Sequence, residues 1–415
     1  MAKLIDITGK ALSGEWGNDD ETGTGIHVLR TTNFTNDGII NYENVVTRQI
    51  PKKDLSKKYL CAGDIIIEKS GGSDNQPVGR VVYFDGENNK YLFNNFTGVL
   101  RVIDTEKWLP RYVFYALYAN YMKGGTRPFE NKTTGLHNLK TDSYVSSTEI
   151  AELPFKEQTA IVNMLDKLTT LISLRKQQLL KLDELVKSRF IELFGDPEYN
   201  EKQWAVLKLE TLCSVSSSKR IYQNELSAEG VPFLRISDLV NRMDTGSTEC
   251  ELYIPEERYE ELKVSGLVPV AGDMLLTARG TLGRCYTLTA SDKFYFQDGM
   301  ITWLYGFDKK LTTNYLTHLF SMSGFRKQID SLQAGSTVAY LSIAMTKKLD
   351  VMLPPIELQN QFTTFVEQTD KSQLAIQKSL EKLETLKKAL MQKYFGRGEN
   401  YTKTARKLHE LSLAQ

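Results

Sequence analysis

Glycine-bounded polar loops carry the side chains of this chain that are best suited to chemistry. They occupy 68–73, 124–127 and 131–135 in the first half of the chain, and 277–283 and 333–337 in the second. Glycine lets backbone N–H groups approach an anion closely, and lysine and arginine add positive charge. Serine and threonine hydroxyls donate to phosphates and base edges. Any single loop could be an ordinary surface turn, but recurrence at matching places favours nucleic-acid binding.

A related match lies near the start of each half, where 28–34 (VLRTTNF) resembles 233–239 (FLRISDL). Cations and hydroxyls in these segments and loops can contact the phosphates and base edges of double-stranded DNA. The predicted DNA contacts are Arg30, Thr32, Lys69, Ser70, Ser73, Arg127, Lys132, Thr133, Arg235, Ser237, Arg279, Thr281, Ser336 and Thr337.

No spacing of residues indicates a catalytic centre. The chain contains no phosphate loop, dinucleotide fingerprint, nucleophile elbow or His-Glu-x-x-His motif. Leu353 precedes the pair Pro354-Pro355, where the catalytic loop of an adenine methyltransferase has Asn or Asp. The 4 histidines are scattered, and the 4 cysteines lack the paired spacing of a zinc site or disulfide framework. We therefore predict no catalytic residues, no metal and no cofactor in this chain, and a reducing, cytoplasmic setting.

Composition is that of an ordinary globular protein. The 415 residues are 41% hydrophobic and 25% charged, and no apolar stretch approaches the length of a membrane span. The start, MAKLIDITGK, lacks the apolar region of a signal peptide. A net charge of +1 is weak evidence against a nucleic-acid partner but does not exclude one, because clustering of cations on one face matters more than their sum.

The elements that must position these loops are written twice. Segments 157–195 and 358–396 align without a gap, so that Gln158 matches Gln359 and both segments end in Phe-Gly. Upstream, 62–67 (AGDIII) returns as 271–276 (AGDMLL). Two copies are too few for a solenoid. The repeat instead indicates two domains of one kind, each followed by a long helical arm.

The two arms carry apolar residues in a heptad rhythm, which is typical of a coiled-coil seam. Thr369 and Gln373 interrupt the second arm, and Gly195 and Gly396 are predicted to end the helices in a left-handed turn. Each arm would be roughly 55 Å long at about 1.5 Å per residue. The alternative is that each helix packs only on its own domain. The predicted interface residues are Leu165, Leu168, Ile172, Leu179, Leu182, Val366, Ile376, Leu380 and Leu383.

The globular parts read as mixed α/β. Short β-branched and aromatic runs predict strands, and apolar residues at helical spacing predict one helix at 110–122 and another at 313–329. The resulting class is α+β: two tandem mixed α/β domains, each followed by a long helix, with the helices pairing antiparallel about a pseudo-two-fold axis. The predicted segments are domain 1 at 1–152, helix 1 at 153–195, domain 2 at 196–352, helix 2 at 353–396 and a tail at 397–415.

With these motifs in this order, the chain resembles the specificity subunit of type I restriction-modification systems. The residues that carry the resemblance are 271–280 (AGDMLLTARG), Gly283-Arg284, 353–359 (LPPIELQ) and the two arms with Phe-Gly ends. The resemblance covers nearly the whole chain, to about residue 396. The first half departs from it at 152–158 (ELPFKEQ) and where Lys69-Ser70-Gly71-Gly72 replaces the Arg-Gly loop.

The resemblance implies a non-catalytic subunit that reads a split, asymmetric DNA site. Each globular half would be a target recognition domain for one half-site, and the antiparallel arms would set their separation, with a spacer of about six to eight base pairs between half-sites that lie about one helical turn apart. Two methyltransferase subunits and two restriction subunits would assemble with the chain. S-adenosylmethionine, ATP and Mg²⁺ would belong to those partners, which methylate adenine N6 and cleave DNA.

Two other classes of protein stay open from the residues alone. One is a self-contained DNA methyltransferase, which a methyl-transfer assay on this chain would detect. The other is a coiled-coil adaptor that binds two protein ligands, which a gel shift with duplex DNA would separate from a DNA-binding subunit.

Overall fold

The computed structural model of the chain describes residues 1–52, 54–133, 136–333 and 339–396. They form two compact units. One consists of Met1–Arg175 and the chain from Ser379 onward, and the other of Lys176–Lys378. Each unit therefore contains one globular part together with portions of both long helices. Within the described ranges, no helix is both long enough and apolar enough to cross a membrane.

The first unit is built from short strands. They are β1 Ala2–Lys3, β2 Leu12–Ser13, β3 Asn18–Asp19, β4 Ile26–Leu29, β5 Val46–Gln49, β6 Ile65–Glu68, β7 Ser70–Gly72, β8 Val81–Tyr83, β9 Tyr91–Phe93, β10 Thr97–Leu100, β11 Glu130–Thr133, β12 Leu136–Leu139 and β13 Glu149–Ile150. They form two four-stranded sheets, of order β2-β10-β6-β8 and β3-β5-β4-β9, a three-stranded sheet β11-β12-β7 and the pair β1-β13. The helices are α1 Leu4–Thr8, α2 Pro110–Met122, α3 Thr141–Ser147 and the beginning of α4 Phe155–Phe194.

Strand β6 is the centre of this unit because it is buried on both faces. Successive side chains of a strand point to opposite faces. Ile65 and Ile67 accordingly lie in the apolar cluster that contains α2, whereas Ile66 lies in the cluster beneath β4 and β9. The predicted run of β-branched residues thus serves two cores at once.

The second unit repeats this plan. Its strands are β14 Ala205–Lys208, β15 Ser214–Ser216, β16 Val231–Leu234, β17 Tyr253–Ile254, β18 Met274–Thr277, β19 Cys285–Thr287, β20 Tyr295–Phe296, β21 Ile301–Tyr305 and β22 Asp350–Leu353. They form the sheets β15-β21-β18-β19, β17-β16-β20 and β14-β22. Its helices are α5 Ile236–Thr245, α6 Glu256–Val264, α7 Thr313–Ser321, α8 Ser323–Ser331, α9 Ile343–Lys347 and the beginning of α10 Ile356–Phe395.

Equivalent strands make equivalent pairs in the two units. Strand β18 lies between β21 and β19 as β6 lies between β10 and β8, and Met274 and Leu276 enter one core cluster while Leu275 enters another. The pair β16-β20 is parallel, as is β4-β9. The prediction of two similar mixed α/β domains is therefore confirmed.

The helix predicted over 313–329 is wrong in one respect, because it is interrupted. Met322 has an extended backbone (φ −71°, ψ 139°) and separates α7 from α8. Gly324 follows at once, and a Cβ there would come within 2.6 Å of the Glu198 backbone nitrogen. The segment after the first arm thus leaves room only for glycine at position 324. The helical periodicity on either side of Met322 conceals the break in the sequence.

The two long helices pack antiparallel in each unit. In the first unit, Leu165 near the start of α4 shares an apolar cluster with Met391 near the end of α10. In the second unit, Phe190 near the end of α4 shares a cluster with Phe362 near the start of α10. The predicted pairing of the arms is therefore confirmed.

The predicted seam residues are all withdrawn from solvent to some degree. Leu165, Leu168, Ile172, Val366 and Leu380 are buried. Leu179, Leu182, Ile376 and Leu383 are half-buried.

The polar interruptions in the second arm are also part of the packing. Thr369 is buried, and its hydroxyl donates to the Phe365 carbonyl at 3.0 Å. Gln373 reaches the opposite helix, where its Nε2 donates to Asp183 Oδ1 at 2.6 Å. A polar contact inside an apolar seam favours one register of the two helices over others.

The glycines that end the arms differ. Gly195 has φ +80°, which is the left-handed conformation predicted for it. The same prediction for Gly396 is wrong, since its φ lies outside that region. Glycine is required there for another reason, because a Cβ would lie 2.2 Å from the Gln392 carbonyl oxygen.

Candidate nucleic-acid interface

A buried glutamine ties the start of the first arm to its domain. Gln158 is fully buried, and its Oε1 accepts from the Leu109 backbone N–H at 2.9 Å. Its Nε2 donates to the carbonyls of Lys107 and Leu153, each at 2.9 Å. Since 107–109 leads directly into α2, this one side chain fixes the arm against the helix that supports the central sheet.

Gln359 does the same in the second unit. Its Oε1 accepts from the Thr312 N–H at 2.9 Å, and its Nε2 donates to the carbonyls of Lys310 and Pro354 at 2.8 and 2.9 Å. The sequence alignment paired Gln158 with Gln359 without indicating this role. The signal in the sequence that could have indicated this role is that the two glutamines match in an otherwise variable repeat.

The Phe-Gly ends of the arms have a structural reason too. Phe194 packs edge-on against Tyr315 with ring centroids 4.8 Å apart, and Phe395 packs against Tyr112 at 5.5 Å. Both tyrosines are buried, and each hydroxyl donates to a carbonyl just before an arm: Tyr112 to Ala151 at 3.0 Å and Tyr315 to Met352 at 2.9 Å. Each unit therefore anchors the start of one helix and the end of the other.

In the first unit, the predicted polar loops are not separate loops, because they form one small sheet. Ser70 pairs with Asn138 in β7-β12, and the Lys69 carbonyl accepts from the Leu139 N–H at 2.8 Å. Lys132 lies opposite His137 in β11-β12. The sheet brings together candidates that are about 60 residues apart in the sequence, which local patterns cannot indicate.

The cations on this sheet are not equivalent. Lys132 forms a salt bridge with Asp74, and burial lowers the pKa of the half-buried Lys69. Arg127, in the short 3₁₀ turn Arg127–Phe129 that precedes β11, is exposed and makes no salt bridge with a carboxylate of the described residues. Arg127 is therefore the cation of this group that is most available to a phosphate or base.

The remaining hydroxyls of this sheet divide similarly. Ser70 is half-buried in β7, whereas Ser73 is exposed and its Oγ accepts from the Gln76 N–H at 3.2 Å, within a tight turn. The side chain of Thr133 lies outside the described residues.

Arg30 and Thr32 lie in the turn that follows β4. Thr32 is exposed, and Arg30 donates weakly to the Asn44 carbonyl at 3.4 Å. Arg80 holds this turn against β6: it forms a two-pronged salt bridge with the buried Glu68, at 3.1 and 2.9 Å, and donates to the Thr31 carbonyl at 3.3 Å. The sequence patterns did not indicate this positioning role for Arg80.

The second unit places Arg279 where the first unit has Ser70. Ala278 N–H donates to the Met300 carbonyl at 2.9 Å, and Leu341 N–H donates to the Ala278 carbonyl at 3.0 Å. In the first unit, Lys69 makes the same two contacts with Phe96 and Leu139, both at 2.8 Å. Arg279 is thus the residue one step further along the same strand edge.

The guanidinium of Arg279 lies 4.8 Å from the centre of the Tyr340 ring, and the two backbones form an isolated β-bridge. Its buried Nε has no hydrogen-bond partner, and it makes no salt bridge with a described carboxylate. Thr281 nearby is exposed. Ser336 and Thr337, predicted on the neighbouring loop, lie outside the described residues.

Arg235 and Ser237 have a different environment from their counterparts. Arg235 forms salt bridges with Asp238 at 3.3 Å and Glu251 at 2.8 Å, so its charge is already compensated. Ser237 is exposed at the start of α5, and its hydroxyl contacts Asp238 at 3.4 Å. The matching sequences around Arg30 and Arg235 therefore do not have matching electrostatics.

Comparison with other proteins relates both halves of the chain to one family. The sequence model described as "Type I restriction modification DNA specificity domain" matches residues 2–184 and 201–388. A type I restriction enzyme specificity subunit of Haemophilus influenzae is 26% identical over 354 residues, which cover 82% of this chain and 85% of that protein. The MjaVIII specificity subunit of Methanocaldococcus jannaschii is 21% identical, over 68% of each chain.

Solved structures share the fold. The crystal structure of a type I restriction-modification S subunit from M. genitalium superposes with a TM-score of 0.56 and 14% identity, covering 94% of both chains. A chain from a study of complex assembly in the type I system gives a TM-score of 0.53 and 16% identity, covering 96% of this chain and 97% of that one. Because the family match spans both halves, the chain belongs to the type I restriction-modification DNA specificity domain family.

Proposed function

We propose that this chain reads a bipartite DNA site on behalf of a type I restriction-modification enzyme, with one half-site recognised by each globular domain. The observation that carries the proposal is the matched strand edge of the two units. In both, the residues at 69–70 or 278–279 lie between the central sheet and a second segment. Each unit also has an arginine without a carboxylate partner among the described residues, Arg127 in the first and Arg279 in the second.

Different side chains on one backbone frame suit different DNA sequences. The first domain offers Lys69 and Ser70 at this edge and Arg127 in the turn before β11, whereas the second offers Arg279 with Tyr340. Arginine and lysine prefer phosphates and guanine, while hydroxyls accept either a donor or an acceptor partner. The two half-sites are therefore expected to differ, which makes the whole site asymmetric.

The arms would transmit the position of each reader to the other parts of the enzyme. Gln158 and Gln359 anchor each arm to the domain that precedes it, so a domain bound to its half-site presents its helix in a fixed direction. We propose that two methyltransferase subunits and two restriction subunits assemble with the chain. The non-specific spacer would span about six to eight base pairs, which keeps both half-sites on one side of the duplex.

The chemistry in this proposal belongs to the partners. S-adenosylmethionine would serve adenine-N6 methylation, and ATP with Mg²⁺ would serve the restriction subunits. The chain itself supplies recognition and assembly, in the cytoplasmic compartment where such an enzyme meets its DNA.

The test uses the full chain, alone and together with the methyltransferase subunit of its own system, in a gel shift and in selection from a randomised duplex library. The expected result is enrichment of two short blocks separated by a spacer of constant length. Arg127→Ala should change only one block, whereas Arg258→Ala, which removes an arginine already paired with Glu225 and Glu261, should change neither.

Three results would contradict the proposal. The first is methyl transfer by the chain alone, which would make it an enzyme. The second is partner binding without any DNA binding, which would make it an adaptor. The third is enrichment of one continuous motif.

A further inference from the structure

Arg279 differs from most arginines of the described residues in having no carboxylate partner. Those that form salt bridges include Arg48, Arg80, Arg101, Arg111, Arg189, Arg220, Arg235, Arg242, Arg258 and Arg284. In Arg279 the charge is instead held over the Tyr340 ring, 4.8 Å from its centre. A guanidinium over an aromatic face keeps its hydrogen-bond donors unused.

The backbone beneath this side chain is fixed on both sides. The bridge to Tyr340 and the two flanking hydrogen bonds of Ala278 hold Arg279 at the end of β18. Gly280 then turns the chain away with φ +69°, and a Cβ placed on it would meet nothing within 4 Å. Open space therefore lies immediately beside a fixed, half-buried arginine, which is the arrangement a ligand needs.

We infer that Arg279, held over the ring of Tyr340, recognises a guanine in the half-site read by the second domain; this inference rests on the proposed function. Guanine presents two acceptors, O6 and N7, in the major groove, and arginine can donate to both at once. Adenine presents one acceptor and one donor, so it cannot accept both hydrogen bonds.

The contact between the Arg279 guanidinium and the Tyr340 ring favours a base over a phosphate as the ligand. Phosphate oxygens accept hydrogen bonds from many directions, so restraining the guanidinium plane adds little to a phosphate contact. A base edge accepts only in its own plane, and a restrained guanidinium loses less conformational freedom on binding it. Because the Nε of Arg279 is buried, the donors left to contact a base are its terminal amino groups.

The first domain provides an internal contrast. Ser70 occupies the backbone position equivalent to Arg279, and Asn138 pairs with it where the second domain has Tyr340. The first half-site should therefore lack a guanine read in this way.

The experiment uses the full chain with the methyltransferase subunit of its own system, and compares its affinity for guanine and 7-deazaguanine at each guanine of the second half-site. Removing N7 deletes one of the two acceptors. At one position, the unaltered protein should lose about 10- to 100-fold in affinity on replacing guanine by another base. It should also lose affinity for 7-deazaguanine there, whereas Arg279→Ala should bind both bases equally.

Two variants separate the role of the ring from folding. Tyr340→Phe keeps the ring and should keep the guanine preference, while Tyr340→Ala should weaken it. Arg279→Gln and the control Arg258→Ala should both have the thermal unfolding midpoint of the unaltered protein. Arg258→Ala should also retain the preference for guanine.

Equal loss of affinity by Arg279→Ala for all sequences would overturn the inference and assign Arg279 to a phosphate. Persistence of the guanine preference in Arg279→Ala would overturn it as well. An unaltered protein that shows no preference in either half-site would instead overturn the proposed function itself, which distinguishes the two failures.

Discussion

Replacing Gln158 by leucine tests how the arm is joined to the first domain. Leucine has a similar volume but none of the hydrogen-bonding atoms, so the Leu109 N–H and the Lys107 and Leu153 carbonyls lose their partner. A buried polar group left without a partner costs about 1–3 kcal/mol. Lys107 is exposed, so its carbonyl can turn to water. Two groups remain, and the expected loss in the free energy of unfolding of the first unit is about 2–6 kcal/mol.

Hydrogen exchange followed by mass spectrometry can locate this loss, because the two units are separate compact bodies in the contact pattern. Gln158→Leu should speed exchange in α2 and in the first turns of α4 more than in α7. Gln359→Leu should speed exchange in α7 and in the first turns of α10 more than in α2, since the partners of Gln359 are Thr312, Lys310 and Pro354.

Gln361→Leu is the matched control, since that glutamine is exposed on the same helix as Gln359. It should leave both exchange and unfolding unchanged. If Gln158→Leu also behaved like the unaltered protein in both measurements, the hydrogen bonds around Gln158 would not be what joins arm and domain.

Three further outcomes are expected. Leu165→Asp, at a fully buried seam position, should lower the free energy of unfolding by about 3–5 kcal/mol, whereas Leu180→Asp, at a position 63% exposed, should change the denaturation midpoint little. Burial lowers the pKa of His318 to about 4, whereas the same imidazole in the unfolded chain has a pKa of about 6.5 and so takes up a proton first as pH falls. The His318 contribution to the free energy of unfolding should therefore be constant above about pH 6.5 and decrease between about pH 6.5 and about pH 4. Urea titrations at each pH should show a smaller decrease for His318→Phe. Inserting four residues near Lys176 and four near Gln377 adds about one helical turn to each arm, and selection from a randomised library should then return a spacer longer by one or two base pairs; an unchanged spacer in a folded, assembled variant would argue against the arms as the ruler.

The central strands and the long helices could be predicted because each is determined locally. The run Ile65–Ile67 is apolar and β-branched, and the arms keep a heptad pattern over many turns, so neighbours in the sequence are enough to specify them. The duplication strengthened both predictions, since the same pattern occurs twice.

The polar sheet of the first unit could not be predicted in the same way. Strands β7 and β11 contain Ser, Gly, Asn and Lys, which have low strand propensity, and they are strands because β12 lies between them. The break at Met322 was concealed for the opposite reason, because strong helical periodicity continues on both sides of it.

The sequence suggested candidate DNA contacts by residue type, but it did not indicate which of these side chains are already paired within the protein. Arg235 and Arg279 are the same residue type in the sequence, but they have different partners in the structure. Arg235 forms salt bridges with Asp238 and Glu251, whereas the guanidinium of Arg279 lies over the Tyr340 ring. Partners from distant segments decide this difference. Likewise, the pairing of Gln158 with Gln359 was visible in the alignment, whereas their carbonyl partners were not.

The central claim is that one chain reads two half-sites with two separate domains. Modification-sensitive sequencing of DNA from cells that express this chain with the methyltransferase subunit of its own system tests it most directly. The account predicts methylated sites made of two short blocks at a constant separation, with Arg279→Ala altering only the block read by the second domain. Methylation of a single continuous motif, or the same motif in cells that lack this chain, would contradict it.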